Sequence, residues 1–406
     1  MNIQHAQPLF PTHEGELLVG NTRISDLAAQ IGSTPFYAYD KALITQRVED
    51  LRKALPSAIK LHYAIKANPF TPVIQHLSTL VDGLDVASGG ELALALTATN
   101  KPISFAGPGK RREELEQAVN ADVLLNVESF RELRELADIS QQTGKAARIA
   151  IRINPDFELK TAGMKMSGGA KPFGVDAEQV PEMLAEVATL GLRFEGFHLY
   201  AGSQNLKSSA IAEAQRESYA LICRLAEAAP NLPRSINLGG GFGIPYFPGE
   251  KRLDLANISE TLESICEDAA QRFPGAEIQL ELGRYLVGEA GIYVTRVIDK
   301  KISRGHTFLV TDGGLNHHLA ASGNFGQVIR KNYPIAIATR INDIGKGSLL
   351  SIVGPLCTPL DILADKVKIG TPEIGDLIAI FQSGAYGASA SPHNFLGHPP
   401  PREVLV

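Results

Sequence analysis

Short β-rich runs closed by Gly, Asn, Pro or Ser recur through the middle of the chain, at 61–68, 81–88, 103–108, 122–129, 148–155, 194–203, 235–241 and 278–284. Between them lie stretches such as 90–99, 112–120, 129–142, 177–190, 210–229 and 258–273, where Leu, Ile, Val or Ala return at three- and four-residue intervals with charges between. Strands alternating with helices predict parallel pairing through right-handed crossovers, and eight such units predict a closed (β/α)8 barrel of the TIM type. A further helix at about 42–54 precedes the first strand. After residue 290 the texture changes to β-rich runs at 291–302, 307–314, 333–341, 348–356 and 376–384, separated by Gly, Asn, Asp and Pro. The fold class is therefore α/β, a barrel plus a C-terminal all-β domain. Residues 16–24 read as a strand with a turn, which gives residues 1–40 as an N-terminal segment of the β domain, 41–290 as the barrel and 291–406 as the β domain.

Composition narrows the function classes. With 44% hydrophobic and 20% charged residues the chain sits in the ordinary globular range. The 39 Lys and Arg against 44 Asp and Glu give a net charge of −5, with no basic cluster, which disfavours nucleic acid. No apolar run approaches the roughly 18 to 20 residues that cross a bilayer, so no membrane partner is expected. The opening twenty residues lack the basic start and apolar run of a signal peptide. Three scattered cysteines, Cys223, Cys266 and Cys357, suit a reducing compartment, and a cytoplasmic protein is the expectation.

In βα barrels the chemistry lies where strands feed the loops at their C-terminal ends. That rule singles out Lys66, Asp85 with Ser88, Arg152 with Asn154, His198 to Ser203, Gly239 to Gly241, and Glu281, Gly283 and Arg284. Lys66, flanked by Ala64, Ile65 and Ala67, reads either as an imine-forming lysine in a polar cavity or as a strand-end lysine reaching water. The glycine triplet reads as an anion cradle or as a plain tight turn, and its spacing is not that of a dinucleotide fingerprint. Glu281 wants a positive partner, either at a site or in a salt bridge to Arg284 or Arg152. Cys357 on its own reads as a small buried residue. Tyr386 lies among small residues in a loop open to a ligand. No spacing resembles a metal site, and His317 with His318 reads as a loop pair.

Taken together and in order, YAIKANP, LDVAS-GGEL, the GS-Q around Ser203, LGGGFGIPY, ELGRYLV, GP-C-PLD and SGAY resemble the fold-type III pyridoxal-phosphate decarboxylases, the diaminopimelate, ornithine and arginine decarboxylase group. That group shares its barrel with alanine racemase, and the likeness runs from about Thr34 to Tyr386. Within it the chain is most similar to exosortase-associated pyridoxal-dependent decarboxylases of bacteria, which implies a link to exopolysaccharide clusters. The resemblance implies pyridoxal 5'-phosphate held as an aldimine on Lys66. It further implies a phosphate bound by Gly239, Gly240, Gly241 and Ser203 with Gly283, Arg284 and Tyr386, and a pyridine nitrogen paired to Glu281. Asp85, Arg152 and Glu91 fall at polar support positions. Cys357, from the partner subunit of a homodimer with shared active sites, would serve in protonation, and Arg284, Thr358, Asp361 and Tyr386 would contact the amino-acid substrate.

Two positions depart from the family pattern. Tyr200 replaces a histidine that stacks on the cofactor, with His198 two residues earlier on the same strand face. Thr358 follows the loop cysteine where an acid usually grips the substrate's distal amine, and Asp361 comes three residues later. An acid at 281 favours decarboxylation over racemisation, because it keeps the ring nitrogen protonated. A racemase or epimerase on the same cofactor, or a regulator that has lost it, remains the alternative, and the residues do not name the substrate.

Overall fold

The computed structural model describes residues 8–157, 164, 165 and 168–406; the opening segment read for a leader begins outside them. The chain forms two compact units. One comprises Arg47–Ile244 and Arg252–Gly283, the other Met1–Gln46, Pro245–Lys251 and Arg284–Val406.

The first unit is a barrel of eight parallel strands: β1 (Lys60–Ala64), β2 (Gly83–Val86), β3 (Ile103–Phe105), β4 (Leu124–Val127), β5 (Arg148–Asn154), β6 (Arg193–Leu199), β7 (Ser235–Gly240) and β8 (Glu277–Leu282). Each pairs with the next, and β8 closes on β1 with Glu281 opposite His62. All eight strands lie where the alternating pattern predicts them. Helices Thr71–Leu80, Gly89–Ala98, Arg112–Asn120, Phe130–Thr143, Val180–Val187, Ser208–Leu225 and Ala256–Arg272 follow successive strands. Their starts are set locally. Ser88 caps Gly89–Ala98 by accepting from the Glu91 N–H at 3.2 Å, and Glu91 Oε2 reaches back one residue beyond the cap to accept from the Ala87 N–H at 2.8 Å. Ser88 and Glu91 thus serve the helix start that follows β2.

In the second unit β9 (Gly291–Ser303) is the spine of a sheet completed by β10 (His306–Thr311), β11 (Ile335–Ile337), β12 (Leu350–Val353), β13 (Ile362–Val367), β14 (Leu377–Ile380) and β15 (Arg402–Leu405). The strand Phe36–Tyr39 pairs antiparallel with β9 and parallel with β15. Leu17, Val19, Ile24 and Leu27 join Ile292, Val294, Ala379 and Phe381 in one apolar core. The segment read as a strand and turn at 16–24 is a pair of short strands, and it runs on into a helix, Ile24–Ile31, whose buried Ile24, Leu27 and Ala28 share one face. Among the described residues no helix is long and apolar enough to cross a membrane.

Candidate active site

Lys66 is not in the strand itself. β1 ends at Ala64, and Lys66 occupies a 3-10 turn, Ile65–Ala67, at the C-terminal mouth of the barrel. Gly283, just past β8, lies against this turn so closely that a Cβ there would sit 2.8 Å from the Ala67 methyl. That approach brings Lys66 Nζ to 3.4 Å from Glu281 Oε1, and to 5.4 Å from the centroid of the Tyr200 ring. Glu281 Oε2 in turn lies 3.0 Å from His198 Nε2, on β6. The lysine side chain is 38% exposed, whereas Glu281 and His198 are buried at 5% and 1%. Burial alone would push the Glu281 carboxyl up, but the charges of Lys66, His198 and Arg152 and the His198 hydrogen bond hold it well below the usual carboxylate range. The partners of Glu281 are therefore Lys66 and His198, while Arg152 and Arg284 are bonded elsewhere.

Arg152 Nη1 donates to Glu128 Oε1 at 2.8 Å, and its guanidinium lies 5.2 Å from the Phe173 ring. Glu128 also accepts from the N–H groups of Gly107 at 2.6 Å and Gly174 at 3.0 Å, so one carboxylate pins two loops at the barrel mouth. Lys110, paired to Glu132 at 2.6 Å, donates to the Gly107 carbonyl at 2.8 Å and tightens the same corner. Asp85 Oδ1 accepts from Ser104 Oγ at 2.7 Å and lies 3.2 Å from His62 Nδ1. Glu128, Lys110, His62 and Ser104 were not singled out from the sequence. Glu128 follows β4 directly, so the strand-end rule that selected Lys66 would have selected it too.

The glycine triplet is dictated by neighbouring backbone. A Cβ on Gly239, at φ 69°, would lie 2.5 Å from the Leu199 carbonyl oxygen; one on Gly240 would overlap the Glu281 carbonyl, and one on Gly241, at φ 78°, the Gly202 carbonyl. The ends of β6, β7 and β8 can converge only over glycines. The Gly239 N–H is donated to Asn237 Oδ1 at 2.8 Å, and the Gly241 carbonyl accepts from Asn205 N–H at 2.9 Å. Ser203 is buried in the short strand Gly202–Ser203 beside these turns.

The remaining candidates belong to the second unit. Arg284 Nη1 donates to Tyr246 Oη at 2.7 Å, and its guanidinium lies over the Tyr386 ring, 4.6 Å from the centroid. Tyr386 has a left-handed φ of 53°. Cys357 is exposed, which corrects its reading as a buried small residue. Asp361 is buried, and its two oxygens accept from the N–H groups of Leu315 at 2.6 Å and Leu356 at 2.8 Å. It shapes the loop that carries Cys357 and Thr358, each of its oxygens engaged by a backbone amide. Thr358 is half-buried, its carbonyl accepting from the Asp361 N–H at 3.2 Å. His317 and His318 face the Pro399 carbonyl and Ser383 Oγ, each at 2.8 Å. Among the described residues no cluster of His, Cys, Asp or Glu has the makings of a metal site.

A cavity of about 170 Å³ opens in the barrel unit between Lys66, Asp85, Arg152, His198, Tyr200 and Glu281. A cavity lined by an amine and a buried carboxylate, at the C-terminal mouth of a (β/α)8 barrel, is where a barrel enzyme keeps its active site. Residues 41–288 match the family described as pyridoxal-dependent decarboxylase, pyridoxal binding domain, and the chain belongs to that family. It is 40% identical to the L-glutamyl-[BtrI acyl-carrier protein] decarboxylase of Niallia circulans, over 92% of this chain and 88% of the relative. It is 34% identical to the diaminopimelate decarboxylase of Aquifex aeolicus, over 100% and 94%. The crystal structure of diaminopimelate decarboxylase from Helicobacter pylori complexed with L-lysine superposes with a TM-score of 0.83 at 30% identity, over 94% of each chain.

The chain is a pyridoxal-phosphate-dependent amino-acid decarboxylase. The barrel residues fit that cofactor. Glu281 is held as an anion, Lys66 is half-exposed beside it, and the buried His198 Nδ1 and Asp85 Oδ2 have no hydrogen-bond partner among the described residues.

Proposed function

We propose that Lys66 carries the cofactor and that Glu281 meets its ring nitrogen, with His198 as the residue that orients Glu281. The observation that supports this reading is the depressed, buried Glu281 carboxylate between Lys66 and His198. When bound, pyridoxal phosphate supplies a ring that takes up the electron pair left by departing carbon dioxide. Glu281, anionic throughout, holds a proton at the ring nitrogen. Tyr200 provides the flat surface against the ring. Asp85 and Arg152 are polar supports at the cavity wall, with Arg152 fixed by Glu128. The turn at Gly239, Gly240, Gly241 and Ser203 is the candidate for the phosphate, with Gly283, Arg284 and Tyr386 as the family likeness suggests. A racemase of this barrel places an arginine where Glu281 stands, which favours the decarboxylase reading.

Cys357 as proton donor to a neighbouring subunit, and hence a homodimer with shared sites, is supported by the resemblance to the family and by the exposure of Cys357. Thr358, Arg284 and Tyr386 are the candidate substrate contacts. With Asp361 engaged by two backbone amides, the loop at 357–361 presents no open carboxylate to a distal ammonium. The substrate class that suits it is an α-amino acid whose far end is not a free amine, as in the glutamyl conjugate named for the Niallia circulans relative.

Three measurements test this. Borohydride treatment of the loaded protein should leave a pyridoxyl group on the Lys66 peptide, and a colourless protein with no adduct defeats the assignment. Carbon dioxide release should be faster from glutamate-type substrates than from diaminopimelate, and the reverse order rejects the substrate class. Mixing Lys66→Ala with Cys357→Ala protein should restore activity through heterodimers; no recovery after subunit exchange rules out a shared site.

A further inference from the structure

The barrel interior is polar where such barrels are ordinarily filled by Val, Ile and Leu. His62 on β1, Asp85 on β2, Ser104 on β3 and Asn126 on β4 form one buried hydrogen-bonded group. Asn126 Nδ2 donates to Ser104 Oγ at 3.1 Å, Ser104 Oγ donates to Asp85 Oδ1 at 2.7 Å, and His62 Nδ1 lies 3.2 Å from the same oxygen. Because Asp85 Oδ1 is an acceptor, the geometry requires the His62 proton on Nδ1. The other oxygen, Oδ2, is without a partner among the described residues, and Asp85 lines the Lys66 cavity. The imidazole has a notch built for it. A Cβ on Gly83 would lie 2.6 Å from both Cε1 and Nε2 of His62, so β2 carries a glycine where any side chain would displace the ring.

His62 and Ser104 also line a second cavity, of about 640 Å³, at the opposite, N-terminal face of the barrel. The charged groups about the ring are Asp85 and Glu281 inside the barrel and Asp82 just ahead of β2, with Lys101, Asp122, Arg193, Arg234, Glu277 and the paired Arg148 and Glu195 around this basal cavity.

We propose that His62 is a positioning residue for the decarboxylation, a buried imidazolium that orients Asp85 toward the Lys66 cavity and exchanges its proton with water through the basal cavity. Burial alone would discharge this ring, but Asp85, with Glu281 and Asp82 behind it, raises its pKa above the ordinary histidine value. As pH rises past that value one proton leaves the ring for basal water, and Asp85 loses its charged partner. The route lies on the face away from the substrate, so the titration persists in the substrate complex. It therefore appears in kcat itself and not only in kcat/KM.

The inference rests on Lys66 as the cofactor lysine, and the two are separated by one experiment on loaded enzyme. His62→Gln should still take the borohydride label on Lys66. Its kcat at neutral pH should fall about tenfold or more with KM changed less than about twofold, as for a displaced support, and the alkaline fall in kcat of the wild type should be absent. A His62→Gln enzyme with the wild-type pH profile of kcat overturns the inference. An unlabelled Lys66 in the wild type overturns the reading beneath it instead. Should the variant not fold, 15N-histidine spectra of the wild type decide the matter, since a His62 ring already neutral at neutral pH contradicts the proposal.

Discussion

His198 and Glu281 form a buried pair across the barrel mouth, Nε2 to Oε2 at 3.0 Å, and this contact leaves Glu281 Oε1 directed at Lys66. Glu281→Gln keeps the shape and removes the charge. In cofactor-loaded protein, carbon dioxide release should drop by about 10²- to 10³-fold, the scale for losing one preorganised electrostatic group. His198→Gln should cost less, because a positioning bond is lost while the carboxylate remains. Equal activity of Glu281→Gln and wild type rules out Glu281 as the ring-nitrogen partner.

Glu128 ties acid stability to the geometry of the mouth. Burial opposes its charge, but Arg152, Lys110 and the Arg152 and Gly174 hydrogen bonds lower its pKa below the ordinary 4.5. A depressed carboxyl contributes stability that is present above the unfolded value and lost as pH falls through the folded one. Glu128→Gln should lower stability by about 3–5 kcal/mol at neutral pH, since Arg152 is left buried without its counter-charge. The difference in Tm between variant and wild type should shrink as the pH is taken below 4.5. A constant difference across that range would remove the charge from the explanation.

The glycine triplet makes a steric prediction. Gly240→Ala should yield insoluble or strongly destabilised protein, because its methyl would overlap the Glu281 carbonyl on the adjoining strand. Gly90→Ala is the matched control. Its nearest neighbour is Ser88 Oγ at 3.8 Å, and it lies in the first turn of Gly89–Ala98, so it should be neutral or gain up to about 1 kcal/mol. Thermal melts of the two variants check the contrast.

Asp361 separates a structural role from a substrate contact. Asp361→Ala leaves the Leu315 and Leu356 amides without acceptors and should cost about 1–3 kcal/mol for each buried group left unpaired. Denaturant titration should show the loss. Unchanged stability with a raised KM would return Asp361 to the role that the sequence alone suggests.

The barrel was legible because its signal is periodic: eight strand ends and the helices between them carry alternation that survives without any tertiary information. Lys66, Glu281 and His198 could be placed at one mouth by the strand-end rule, but their pairing could not. Whether Glu281 turned to Arg152, Arg284 or Lys66 depended on Glu128 claiming Arg152 and Tyr246 claiming Arg284. The backbone contacts of Asp361 were hidden for a related reason. Its sequence surroundings are those of an open loop, and only the convergence of two backbone amides from separate segments consumes its oxygens. The helix Ile24–Ile31 went unseen because the strand signal at 16–23 runs into it without a break.

Lys66 and Glu281 stand 215 residues apart in the chain and meet only because β8 hydrogen-bonds to β1. The reactive centre thus sits on the seam of the ring. A nascent chain that has emerged as far as β7 already owns the lysine, yet lacks the carboxylate that pairs with it. The lysine gains its carboxylate only with the last strand, so closure of the cylinder and the meeting of the two charges are a single event.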